Sequence, residues 1–212
     1  MFTYFLPSAK YYNECYNMDH MNRKIIIVEG YLASGKSTFA CKLSQEINVL
    51  SLIKDDLKSA LCADVPINSR RESSCFSAVT FNVMMHVVER FMEAGYPVII
   101  EGNFVPRGIK KVNEAGIIKK LIDKYDYESL TYKFVGNTQV LYKRFAKRED
   151  TPEREQANKI LSQLSYNDFD KWCHNLDNFS VSGKVVTINT TDFNDVDFEN
   201  YIEIARSFVT LS

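Results

Sequence analysis

Lys24-Ile25-Ile26-Ile27-Val28-Glu29-Gly30-Tyr31-Leu32-Ala33-Ser34-Gly35-Lys36-Ser37-Thr38 is the stretch that decides the fold. Its first six residues form a short β-branched run, as a buried parallel strand requires. Gly30 to Ser37 then completes a G-x-x-x-x-G-K-[ST] loop. From Thr38 the apolar residues recur at helical spacing, at Phe39, Leu43 and Ile47. Strand, glycine loop and helix start, in that order, are the context in which this motif cradles phosphate.

The chemistry expected of the loop follows from its residue types. Gly30 and Gly35 let the backbone turn back and present its N–H groups to an anion, and the helix beginning near Gly35 adds the positive end of its dipole. Lys36 can reach the β- and γ-phosphates, and the Ser37 hydroxyl can hold Mg²⁺. The expected nucleotide-binding set is Gly30, Ala33, Ser34, Gly35, Lys36, Ser37 and Thr38. A plain helix cap with a solvated Lys36 is the alternative, and the flanking strand and helix argue against it. No N-K-x-D signature for guanine follows, which favours ATP over GTP.

Outward from the loop, strands and helices alternate. The pattern predicts strands at 49–53, 97–101, 130–135 and 184–189. It predicts a helix opened by Asp55 and Asp56, and helices over 75–94, from Pro106 to Lys124, over 138–147 and over 196–210, with a further helix after the charged stretch 148–156. On the long helix 75–94, Phe76, Val79, Val83, Val87 and Phe91 are expected on one side. Such alternation implies βαβ units and a five-stranded, mostly parallel sheet with helices on both faces, a three-layer α/β phosphate-loop NTPase fold. In such sheets ligands bind beyond the strand C-terminal ends, which gathers Asp55, Glu101 and Asn189 near the loop.

At 212 residues, with 45% hydrophobic and 25% charged residues, the chain suits one domain. Residues 24–212 form that domain, with a small helical lid at 144–158. Residues 1–23, with scattered tyrosines and no periodicity, are expected to be a loosely attached extension. A formal net charge of -1 gives no global pull toward nucleic acid or an anionic membrane, and no apolar run approaches membrane length. Five dispersed cysteines without a C-x-x-C fit reduced thiols and a cytoplasmic location.

Several residues could do chemistry. Asp55 and Asp56 open a helix after strand two, and one of them could accept the proton of an attacking hydroxyl, although acids also favour a first helical turn for its dipole. Glu101 ends strand three, where an acid could serve Mg²⁺ or its water shell. Asn103 lies in the loop behind it. Arg144 and Arg148, one turn apart, share a helix face and could stabilise charge on a transferred phosphoryl group, with Arg148 preferred.

Together these residues resemble the small-kinase branch of phosphate-loop proteins, in particular the polynucleotide-kinase-like and zeta-toxin-like phosphotransferases and the AAA-family predicted kinases. The resemblance rests on 30–38, on Lys54-Asp55-Asp56-Leu57-Lys58, on Ile99-Ile100-Glu101-Gly102-Asn103-Phe104 and on 141–148, and it covers about 24–190. It implies Mg²⁺-ATP-dependent transfer to a hydroxyl, with Asp55 as general base. Where polynucleotide kinases carry an arginine that contacts the acceptor phosphate, this chain has Lys58, which keeps the charge and loses the bidentate fork. The expected acceptor is therefore a small molecule, with a nucleic-acid end as the second choice. Other readings are a toxin acting on nucleotide sugars and an ATP-dependent switch without a phosphoacceptor.

Overall fold

The computed structural model describes residues 22–63, 65, 67–104, 113–149 and 164–210. In chain order they form β1 (Lys24–Gly30), α1 (Lys36–Ile47), β2 (Ser51–Ile53), α2 (Lys54–Leu61), α3 (Arg70–Glu93), β3 (Val98–Glu101), α4 (Glu114–Tyr125), β4 (Glu128–Val135), α5 (Thr138–Glu149), α6 (Tyr166–Asn175), β5 (Lys184–Asn189) and α7 (Phe198–Thr210). The five strands make one sheet in the order β2-β3-β1-β4-β5. Every pairing is parallel, as the alternation predicts.

Strand parity divides the core. Ile25 and Ile27 of β1, with Val98 and Ile100 of β3, face Phe81, Met84 and Val88 of α3 and Ile118 and Ile122 of α4. Ile26 and Val28 face the other way, with Ile99, Leu130 and Tyr132, onto Phe39, Ala40 and Leu43 of α1 and Ile202 and Ala205 of α7. A third cluster joins α5 to α6 through Leu141, Phe145, Phe169 and Cys173, and includes Tyr31 of the loop after β1. Helices thus cover both faces, and β1 is buried along its whole length because strands flank it on both sides.

Two expectations shift. α3 begins at Arg70, because the Ser69 side chain accepts from the Glu72 N–H and caps it there. Its buried side carries Phe81, Met84, Met85, Val88 and Met92, whereas Val79 and Val83 are exposed. The flexible methionines fill the space against the sheet. α4 begins at Glu114 and not at Pro106, because Asn113 has extended backbone and its side chain caps the Gly116 N–H. Residues 105–112 lie outside the described residues, as do 1–21 of the expected extension and 150–158 of the expected lid.

Candidate active site

The loop after β1 is built to leave backbone donors open. Gly30 has φ +125°, and a Cβ there would stand 2.1 Å from the Phe134 carbonyl oxygen, so only glycine allows β1 to run against β4 at this point. Gly35, at φ +90°, is the N-cap of α1 and offers no side chain to its N–H groups. α3, α4 and α6 are capped by Ser69, Asn113 and Ser165. The uncapped start of α1 therefore suits an anion. Ser34 is buried and its hydroxyl donates to the Tyr31 carbonyl at 2.6 Å, which holds the loop's curve, and Ala33 also sits at positive φ.

Lys36 is buried, and its ammonium donates to the Tyr31 carbonyl at 2.7 Å, folded back over the loop. Burial pushes it below the usual lysine range, opposed by the charges of Glu101, Asp55 and Glu29. Ser37 donates to Glu101 Oε2 at 3.3 Å. Burial pushes Glu101 up to about 7, with Lys36 pulling the other way. A hydroxyl and a carboxylate are hard oxygen donors, which fit Mg²⁺ completed by phosphate oxygens and water. Among the described residues no group of three His, Cys, Asp or Glu side chains could hold a metal without such help. Thr38 is exposed at the first turn of α1.

Asp55 and Asp56 occupy the first turn of α2, which follows β2 without a loop. Their surroundings separate them. Both act on Glu101, but Asp55 also acts on Lys36, whereas Asp56 acts on Cys41 on the outer side of α1. Asp55 is thus the acid in electrostatic reach of the loop lysine. Its neighbour Lys54 forms a buried pair with Glu114, with both carboxylate oxygens at 2.7 Å, and the ammonium sits over the Phe81 and Phe104 rings. That pair pins the start of α2 to the start of α4. Lys58 is buried and donates to Ser73 of α3 at 2.8 Å, so it ties α2 to α3 in this structure. Asn103 is half-buried and its Oδ1 has no hydrogen-bond partner among the described residues.

Arg144 turns toward the segment after β5. It donates to the Thr190 and Thr191 carbonyls at 2.5 and 2.7 Å, and its guanidinium lies 4.1 Å from the centre of the Phe193 ring. Phe193 in turn abuts Gly35, where a Cβ would meet it at 3.1 Å. To reach a phosphoryl group Arg144 must release these bonds. Arg148 follows one turn later on α5, and its side chain lies outside the described residues.

Sequence reasoning passed over Glu29, Lys54, Glu114, Tyr31 and Phe193. Glu29 carried a signal, a lone acid in an apolar strand. The Lys54–Glu114 pair spans 60 positions and left none.

A family model described as an AAA domain matches residues 25–166. No curated protein matches the chain in sequence. Among solved structures, a protein from Chloroflexus aurantiacus described as a candidate kinase is similar, with a TM-score of 0.76 at 19% identity over 88% of this chain and 98% of that one. A shikimate kinase from Bacteroides thetaiotaomicron gives 0.53 at 16% over 88% and 98%. A gluconokinase from Sinorhizobium meliloti gives 0.52 at 12% over 88% and 91%. At these identities the likeness is one of fold, the phosphate-loop NTPase arrangement of a parallel sheet between helices.

Proposed function

The chain belongs to the AAA domain family, and on that premise we propose that it is a kinase transferring the γ-phosphate of ATP to a hydroxyl of a small molecule. The observation that carries the reading is that three carboxylates from different strand ends act on Lys36, Glu101 at the end of β3, Asp55 after β2 and Glu29 near the end of β1, beside an uncapped helix start. A site that only bound nucleotide would need no acid at the position of Asp55. The kinases of similar fold support the reaction type.

Each residue then has a task. The N–H groups of 33–38 hold phosphate oxygens, and Lys36 leaves the Tyr31 carbonyl to join them. Ser37 and Glu101 would hold Mg²⁺, which when bound neutralises charge on the phosphates. Asp55 takes the proton of the acceptor hydroxyl and aims the oxygen. Arg148, with Arg144 one turn before it, meets the charge on the transferred group. Lys58 and Asn103 stand on the acceptor side. A small acceptor is preferred to a nucleic-acid end because Lys58 offers no fork for a terminal phosphate. The described cysteines are free, which suits a reducing compartment such as the cytoplasm, and among the described residues no helix is long and apolar enough to cross a membrane.

The test is transfer of label from γ-labelled ATP with Mg²⁺ to a metabolite extract and, in parallel, to 5′-hydroxyl DNA and RNA oligonucleotides. Label in a small molecule that disappears with Lys36→Ala supports the reading. Label confined to free phosphate or to oligonucleotides contradicts it.

A further inference from the structure

Glu29 is the lone acid of β1, and its place in the sheet is fixed by parity. It is in phase with Ile25 and Ile27, so its side chain lies on the face covered by α3 and α4, opposite to α1. It is fully buried, and neither carboxylate oxygen has a hydrogen-bond partner among the described residues. A buried carboxylate without donors carries a large desolvation penalty, which donors from beyond the described residues, such as a ligand's hydroxyls or a water, would relieve.

Its surroundings place it beside the acceptor side of the site. On β4 it pairs with Lys133, which donates to the Asp177 carbonyl at 3.2 Å and lies 3.4 Å from Asp177 Oδ1. On the other side the Gly102 N–H donates to the Val28 carbonyl, which brings Gly102 alongside Glu29. A Cβ on Gly102 would meet Lys54 Cβ at 3.0 Å and Phe104 Cε1 at 3.3 Å. Glu29 is therefore separated by one glycine from the start of α2, where Asp55 stands. One more buried oxygen lacks a partner among the described residues just past Gly102: Asn103 Oδ1. The end of β1 and the segment leaving β3 thus each present an unsatisfied oxygen, whereas the unpartnered Thr131 Oγ1 lies deeper, mid-strand in β4 opposite Ile27.

We propose that Glu29 is the floor of the acceptor pocket and accepts hydrogen bonds from two hydroxyls on adjacent carbons of a polyhydroxylated small molecule, whose reacting hydroxyl meets Asp55. A carboxylate offers two acceptor oxygens side by side, which a vicinal diol matches. An ammonium ligand is disfavoured because Lys36 and Lys133 already act on Glu29, and no metal-binding trio exists among the described residues. Asn103 would serve a remaining hydroxyl. The inference rests on the kinase reading and narrows its acceptor to a polyol.

The experiment measures label transfer from γ-labelled ATP to D-gluconate, D-glucitol, D-glucose and shikimate, with cyclohexanol and D-glucosamine as controls and the metabolite extract alongside. The expected result is transfer to at least one of the four polyols. Glu29→Gln then raises the acceptor KM at least 30-fold, leaves the KM for ATP within twofold, and raises the unfolding temperature at pH 8 because an unsatisfied charge has gone. Should Glu29→Gln not fold, Glu29→Asp, which withdraws the carboxylate by one methylene, gives the same split between the two KM values. An unchanged acceptor KM means that Glu29 binds a structural water only, and overturns the inference. Label in the extract but in none of the polyols, or equal transfer to cyclohexanol, overturns it while leaving the kinase reading intact. Label in no acceptor at all, extract included, removes both.

Discussion

Glu101 and Glu29 stand at the same end of the same sheet, both buried, and burial lifts both to about 7. They differ in the face they take. Glu101, in phase with Ile99, points to α1, receives the Ser37 hydroxyl and feels Lys36 as its largest favourable charge. Glu29, in phase with Ile27, points to α3 and α4 and receives no hydrogen bond among the described residues. One residue of parity thus separates a carboxylate that the nucleotide loop completes from one that the protein leaves incomplete. That difference is the basis of the proposed division of labour, with nucleotide and Mg²⁺ on the α1 face and the acceptor on the other.

The largest expected effects fall on the loop and the base between the two faces. Asp55→Asn lowers kcat by about 10²–10⁴-fold, the range for a lost general base, while ATP affinity measured by calorimetry stays near wild type. Undiminished transfer in that variant removes Asp55 from the mechanism. Lys36→Ala lowers kcat by about 10²–10³-fold, as for one preorganised charge at the reacting group, and here ATP binding weakens as well.

Next in size is the frame of the acceptor face. Glu114→Gln leaves the Lys54 ammonium buried against Phe81 and Phe104, and denaturant titration should show a loss of about 3–5 kcal/mol. The double change Lys54→Met with Glu114→Leu should recover most of it, since both charges leave together. If the single change is silent, the pair does not hold α4 to α2.

A smaller effect compares the two acids directly through pH. Glu29 rises from 4.5 to about 7 on folding, so between those values the unfolded chain gives up its proton first. Stability therefore falls as pH rises through this window, by about 3 kcal/mol for one such group at 1.36 kcal/mol per pKa unit. Urea titrations from pH 4.5 to 8 should show a shallower fall in Glu29→Gln than in wild type, with the part due to Glu101 retained. An equal fall in both proteins means that Glu29 is not the strained group. Smallest is Lys58→Met, which loses the bond to Ser73 and should cost about 1 kcal/mol.

The sequence made much of this legible because short-range chemistry writes itself locally. The run 24–38 specifies a strand, a loop that needs positive φ and a helix start in consecutive residues, and the structure holds all three where expected. The alternation of strands and helices likewise implied the parallel sheet. What stayed hidden depends on parity and on distant pairing. Strand β1 is apolar on both faces, so nothing in its pattern told which way Glu29 points until β3 and β4 set the faces. The buried side of α3 could not be told from its pattern, because its exposed Val79 and Val83 are as apolar as the methionines that pack inward. Lys54 looked like part of a charged helix start, and only α4, 60 residues on, turns it into a buried pair.

The division between the faces is the central claim, and one paired measurement tests it most directly. Glu101→Gln and Glu29→Gln are assayed side by side for the Mg²⁺-ATP concentration and the acceptor concentration that give half-maximal transfer. The account predicts that Glu101→Gln shifts the first and leaves the second, and that Glu29→Gln does the reverse. Both variants shifting the same quantity would contradict it.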